Sequence, residues 1–217
     1  MKKLMLEAKK LGRSLQSGWI WEELDLAVGP GDRLALCGPT GCGKSLLLRV
    51  LAGLDNPDQG VLSYHGRELS SWKLTEYRSE VGYLAQESSF SEGSVKENWQ
   101  TPFRFQTRRK QEFKLDRMLK WISELGLSPD FPGKNALELS GGERQLAALL
   151  RMLQLDPHLL LLDEPTAALD EDTVKLVELL LNQWKRENPE RSWIWISHDA
   201  LQSKRMGDRQ FFLGKQD

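Results

Sequence analysis

Eight consecutive residues, Gly38-Pro39-Thr40-Gly41-Cys42-Gly43-Lys44-Ser45, carry the densest chemistry in the sequence. Their fixed positions fit the pattern G-x-x-x-x-G-K-[ST]. The glycines let backbone N–H groups turn inward around anionic oxygens without Cβ clashes. A helix starting at Lys44 would add the partial positive field of its N-terminus. Such a cradle suits a polyphosphate, with the Lys44 amine bridging the β- and γ-phosphates and the Ser45 hydroxyl on Mg2+. A ligand-free glycine turn is the bland alternative. The position of the motif, after a buried strand and before a helix, argues against it. The loop alone does not separate an ATPase from a kinase or a GTPase.

A second chemical cluster closes the run His158-Leu159-Leu160-Leu161-Leu162-Asp163-Glu164. Side chains alternate along a strand, so the two carboxylates point different ways and take different tasks. Asp163 can reach the shell of a Mg2+ ion, directly or through water. Glu164 can polarise a water in line with a γ-phosphate. A third cluster is Leu139-Ser140-Gly141-Gly142-Glu143-Arg144-Gln145, a serine and two glycines opening a helix that carries Leu146, Leu149, Leu150 and Leu153. That is another anion site, and Ser140 with Glu143 also reads as a capping box. Two phosphate-binding helix starts for one nucleotide is an excess, which suggests that one of them serves the nucleotide of a second molecule.

These clusters need elements to hold them. Leu24, Leu26 and Val28 alternate as a strand, and Leu34 to Cys37 reads as a nearly continuous buried one. A helix is expected from about Lys44 to Leu54, and strands at Val61 to Tyr64 and Val81 to Ala85. From about 88 to 140 strand signals fade. There Leu115, Met118, Leu119, Ile122 and Leu125 recur at helical spacing before Gly126 and Pro129. Strand–helix alternation then resumes: Leu159 to Leu162, a helix from Thr173 to Glu187, Trp193 to Ile196, and Gln210 to Leu213. The expected fold is α/β, a mostly parallel sheet covered on both faces, with a mainly helical insertion.

Composition narrows the function. Lys and Arg number 30 against 31 Asp and Glu, a net charge of −1, which argues against affinity built on phosphate neutralisation along nucleic acid. Apolar stretches such as Leu46–Leu48 and Leu159–Leu162 fall far short of a membrane span, which needs about 20 residues. Met1-Lys2-Lys3-Leu4 is followed by Glu7, Lys9 and Lys10 rather than an apolar core, so no signal peptide is expected. Cys37 and Cys42 read as reduced cytosolic thiols. The basic run Arg108-Arg109-Lys110 reads as a solvated helix start.

Taken together, the motifs resemble those of the ATP-binding cassette (ABC) ATPases over nearly the whole chain, 1–217, read as one nucleotide-binding domain with the helical part at about 88–140. The resemblance implies a P-loop NTPase core with an N-terminal antiparallel β part. It identifies Gly38–Ser45 and the following Leu46 as nucleotide-contacting, Gln86 as the Q-loop glutamine, and Leu139–Gln145 as the signature. It further identifies Asp163 and Glu164 as the Walker B pair, Ala168-Leu169-Asp170 as the D-loop, and His198 as the switch histidine. Implied roles are catalysis by Glu164, His198 and Gln86, and metal contact by Ser45, Gln86 and Asp163. Implied ligands are ATP and Mg2+. A head-to-tail homodimer is also implied, with Ser140, Gly141 and Gly142 of one subunit facing the other's ATP.

Three positions depart from the family pattern. Leu46 stands where the family usually has Thr or Ser, so a hydroxyl contact to the α-phosphate is missing. Leu15 falls where the family often stacks an aromatic ring on adenine, with Trp19 and Trp21 as substitutes nearby. Leu146 replaces the basic residue that often follows the signature glutamine. Residues 90–98, Tyr77-Arg78 and Arg151-Met152-Leu153-Gln154 are similar to the small ATPases of bacterial Fet-type iron exporters. The implied function is an ATP-hydrolysing subunit that energises a separate transmembrane permease from the inner face of the cell membrane. The alternative is an ABC-type ATPase that gates or signals to a membrane protein without moving solute.

Overall fold

A computed structural model describes residues 4–15, 18–108 and 111–214. Arg109 and Lys110 of the basic run, and Met1, Lys2 and Lys3, lie outside the described residues; Arg108 is buried rather than solvated, because its guanidinium donates to the Ser79 and Leu155 carbonyls. Two sheets form the frame. The first is antiparallel, in the order β2 (Gly18–Val28), β1 (Leu6–Leu15), β4 (Gln59–Tyr64), β5 (Arg67–Glu68). The second is parallel throughout, in the order β6 (Val81–Leu84), β7 (Leu159–Asp163), β8 (Ser192–Ile196), β3 (Arg33–Cys37), β9 (Arg209–Phe212).

The central parallel strands are apolar runs because both their faces are covered. All five residues of β7 and all five of β8 are buried. Alternation divides them between two cores. Leu159, Leu161, Ile194 and Ile196 join Leu34 and Leu36 of β3 in one core, which α1 (Lys44–Leu51), Tyr77 of α2 (Leu74–Glu80) and the antiparallel sheet complete. Leu160, Leu162, Trp193 and Trp195 face the other core. Its remaining walls are α3 (Val95–Gln100), α4 (Leu115–Glu124), α5 (Gly141–Leu153) and α6 (Glu171–Glu187).

Strand β1 has no counterpart among the sequence expectations, and β2 begins well before Leu24. Bulges explain both. Lys10 has φ 47° and Glu23 has φ 50°, and the β1–β2 register shifts between Ala8 and Leu11 and between Leu11 and Arg13. One extra residue on β1 and two on β2 break the period-two pattern, so Leu6, Ala8 and Leu11 share the core without alternating in sequence. The bulge is held by the Lys10 N–H, which donates to Asp25 at 2.8 Å. It is also matched by Gly60, where a Cβ would meet the Lys10 carbonyl.

Between β6 and β7 the described residues form helices and 3-10 turns, with only an isolated bridge from Ser94 to Asn135. Helix α4 buries Met118, Trp121 and Ile122, whereas Leu119 is 40% exposed. The stripe thus extends over Trp121 on one edge and leaves Leu119 outside it on the other. Helix α3 starts on a complete capping box, Ser94 with Glu97. The Trp99 indole N–H donates to the Ala147 carbonyl at 2.8 Å, which fixes α3 against α5. Among the described residues no helix is long and apolar enough to cross a membrane.

Candidate active site

The phosphate-cradle sequence forms the turn between β3 and α1. Two glycines are demanded by geometry. Gly38 has φ 148°, and a Cβ there would meet the Leu213 carbonyl at 2.3 Å. Gly43 has φ 90° and caps α1, and a Cβ there would strike Ile20 at 2.6 Å. Trp21 packs under the same glycine and is buried, so its ring belongs to the core. Leu15 and Trp19 stay exposed.

The first intrahelical bond of α1 runs from the Leu47 N–H to the Gly43 carbonyl at 2.8 Å. The N–H groups of Lys44, Ser45 and Leu46 therefore precede the helix ladder and carry its positive end. The Leu46 side chain packs against the core and leaves only its backbone to the site. Thr40 and Gly41 are exposed, and the Cys42 N–H donates to the Pro39 carbonyl at 3.3 Å. The Lys44 ammonium donates to the carbonyls of Gly38 at 2.8 Å and Pro39 at 2.9 Å, spanning the turn.

Asp163 ends β7 within reach of this loop. Its carboxylate accepts from the Ser45 hydroxyl at 3.0 Å and from the Tyr83 hydroxyl at 3.1 Å. It is 2% exposed. Burial pushes its carboxyl above the ordinary value, opposed by the Ser45 and Tyr83 hydrogen bonds and the Lys44 charge. Burial also raises the Tyr83 phenol, which Asp163 reinforces, so Tyr83 is a protonated donor at neutral pH. Sequence reading missed Tyr83: a tyrosine inside a short strand carries no motif.

Glu164, the next residue, has φ 50°, a left-handed conformation that costs a non-glycine residue about 1 kcal/mol or more. Three hydrogen bonds hold the backbone there. The Glu164 N–H donates to the Ile196 carbonyl at 3.2 Å, and the Gln145 amide donates to the Glu164 carbonyl at 2.7 Å. Gln145 in turn accepts from the Ala168 N–H at 2.9 Å. One buried glutamine from the helix after Ser140 therefore braces both ends of the turn that follows β7. The carboxylate so positioned accepts from the Gln86 amide at 3.2 Å, and its other oxygen lies 2.8 Å from His198 Nε2.

The structure thus gathers Lys44, Ser45, Asp163, Glu164, Gln86 and His198 from four separate segments. No hydrogen bond joins Ser140, Gly141 or Gly142 to these six side chains among the described residues. The Ser140 hydroxyl accepts from the Glu143 N–H at 3.3 Å and completes the expected capping box, while Gly142 lies against Ala168. Lys134 beside Glu143 holds that carboxyl below its usual value, followed by the Ser140 hydrogen bonds. Asp170 caps α6 through the Asp172 and Thr173 N–H groups.

Chemically, the loop and Lys44 form an anion cradle. The Ser45 hydroxyl and the buried Asp163 carboxylate offer hard oxygens to a magnesium ion, which takes one or two protein ligands and completes its shell with phosphates and water. Among the described residues no three His, Cys, Asp or Glu side chains cluster as a metal cage. Glu164, in contact with an imidazole and an amide, is placed to accept a proton.

A sequence profile described as ABC transporter matches residues 21–167. The chain is 32% identical over 195 residues to the "Probable iron export ATP-binding protein FetA" of Escherichia coli, covering 90% of this chain and 85% of that one. It is 34% identical over 200 residues to the "Sulfate/thiosulfate import ATP-binding protein CysA" of Mycobacterium tuberculosis, covering 89% of this chain and 54% of that one. Among solved structures it matches the dimeric post-hydrolysis ATP-binding cassette MJ0796 bound to ADP and Pi, with a TM-score of 0.84 at 25% identity, over 96% of this chain and 94% of that one.

Proposed function

This chain belongs to the ABC transporter ATPases, and from that premise we propose that it drives a separate membrane permease by closing as a homodimer around two ATP molecules. ATP hydrolysis is the family's reaction. The observation that carries the site assignment is the convergence of Ser45, Asp163, Glu164, Gln86 and His198 beside the Lys44 loop.

In this reading Lys44 exchanges its two loop carbonyls for β- and γ-phosphate oxygens, and the N–H groups of the cradle hold the rest. Glu164 takes the proton of a water as that water's oxygen bonds to the γ-phosphorus. The bond from the γ-phosphorus to its bridging oxygen breaks, which yields ADP and phosphate. Loss of a general base costs about 10²–10⁴ in rate. His198 and Gln86 hold the Glu164 carboxylate in line. Magnesium, held by Ser45 and Asp163, would supply charge neutralisation on the phosphates. Ser140, Gly141 and Gly142 serve the partner copy's γ-phosphate, which gives the second helix start a ligand of its own.

The permease docks, in this reading, on the apolar groove of about 590 Å³ walled by Leu54, Tyr83, Phe105, Met152 and Leu155. That groove borders the strand leading to Gln86. The likeness to FetA supports outward movement of a metal ion; the likeness to CysA supports inward movement of sulfate or thiosulfate, over a shorter share of that protein. Deleting the gene tests both. Raised intracellular iron with unchanged sulfate uptake is the expected result, and lost sulfate uptake would favour the second reading. Unchanged levels of both, with no stimulation of ATPase activity by a co-reconstituted multi-span protein, would overturn the transport assignment.

A further inference from the structure

Asp163 is held by two donors from two different elements. The Ser45 hydroxyl of α1 reaches one carboxylate oxygen, Oδ1, at 3.0 Å, and the Tyr83 hydroxyl of β6 reaches the other, Oδ2, at 3.1 Å. The register explains the second contact. Tyr83 pairs with Leu161 in the parallel β6–β7 ladder. Side chains repeat every second residue, so Tyr83, Leu161 and Asp163 share one face of the sheet. The Tyr83 ring lies against the core on that face, together with Leu161. Its hydroxyl therefore reaches diagonally along the neighbouring strand to the strand's last residue.

A carboxylate with one hydrogen bond can still rotate about its Cβ–Cγ bond. A second donor on the other oxygen fixes the plane. The two donors are not equivalent. Ser45 is exposed at the start of the cradle helix and is itself a candidate oxygen ligand. Tyr83 sits on the buried side, and its ring is anchored by packing. When an ion engages Ser45 and Oδ1, the Tyr83 contact to Oδ2 can persist.

We propose that Tyr83 is a positioning residue, whose hydroxyl fixes the Asp163 carboxylate so that Oδ1 is presented to the magnesium ion of a bound nucleotide. The inference rests on the assignment of Asp163 to that ion. Tyr83 touches neither nucleotide nor ion. Its contribution is the orientation of an acceptor, and partners of this kind are worth about tenfold or more in metal affinity.

The test reads binding rather than turnover, in a Glu164→Gln background. Binding of a fluorescent ATP analogue is titrated against Mg2+ and repeated in EDTA. Tyr83→Phe keeps the ring and removes only the hydroxyl. It should raise the Mg2+ concentration for half-maximal binding about tenfold. Affinity in EDTA should stay unchanged, because Lys44 and the loop are intact. Adding Tyr83→Phe to Asp163→Asn should produce no further rise, since both act through one carboxylate. An unshifted Mg2+ midpoint in Tyr83→Phe, with a raised one in Asp163→Asn, would overturn the inference and leave the site assignment standing. Equal losses with Mg2+ and with EDTA would make Tyr83 a packing residue only and also overturn it. An unshifted midpoint in Asp163→Asn itself would overturn the assignment on which the inference rests.

Discussion

Lys44 illustrates how a single side chain is kept ready for an anion. Lys44 is buried, and its ammonium donates to two carbonyls of its own loop, which offsets part of the cost of burying the charge. Phosphate oxygens can replace those carbonyls at little reorganisation cost. Cys42 sits in the same turn, half-exposed, with Gly38 beneath its sulfur. Cys37 ends the preceding strand, and burial pushes its thiol up and away from reactivity. Alkylation should therefore fall on Cys42, and saturating ATP with Mg2+ should slow it at least tenfold by covering the loop. Peptide mass mapping after timed exposure to N-ethylmaleimide measures this. Equal labelling of Cys42 with and without nucleotide would reject the geometry of the cradle.

At the level of elements, the helices between β6 and β7 share a core with one face of the parallel sheet. Trp99 is the joint. It is fully buried, meets Phe131 at 6.1 Å between ring centroids, and donates to the Ala147 carbonyl of α5. A second tie is Arg108, whose guanidinium donates to the carbonyls of Ser79 at 2.9 Å and Leu155 at 2.8 Å. Trp99→Ala removes a large buried ring and a hydrogen bond, and should cost about 3–5 kcal/mol of unfolding free energy. Guanidinium titration followed by far-ultraviolet dichroism measures it. A loss below about 1 kcal/mol would mean that α3 is not held by this contact. On the same side of the sheet, Gln202 is buried between Thr166 and Glu178, with contacts of 3.2 and 3.1 Å, and ties α7 (Ala200–Met206) to the turn after β7 and to α6.

At the scale of the whole molecule, the proposed function pairs two helix starts, at Lys44 and at Ser140, that no hydrogen bond joins among the described residues. In that proposal a second copy brings its Ser140 to the phosphates held by Lys44. Glu164→Gln should retain ATP binding and accumulate a dimer, seen as a doubling of mass by size-exclusion chromatography with light scattering. In that background, Lys44→Ala and Ser140→Arg should each fail to trap nucleotide alone. Mixed one to one, they form a heterodimer with one intact pocket, built from the second variant's loop and the first variant's signature. About one ATP per dimer should then be retained on rapid gel filtration. No retention in the mixture would rule out a pocket shared between subunits.

The order of strands in the parallel sheet, β6-β7-β8-β3-β9, is what makes these scales one machine. It lays the end of β3 near the ends of β7 and β8, and so brings Ser45 to Asp163 across 118 residues and Gln86 to Glu164 across 78. The sequence by itself determined the chemistry of each cluster, the central buried strands and the capped helix starts. Those signals are contiguous, either an apolar run or a serine followed three residues later by a glutamate. The strand β1 escaped because its bulge at Lys10 destroys the alternation that marks a strand. The roles of Tyr83 and Gln145 escaped because their partners lie 80 and 19 residues away. A hydrogen bond across a sheet or between a helix and a turn leaves no periodic trace along the chain, so only the tertiary structure decided which side chain would hold Asp163 and which would brace Glu164.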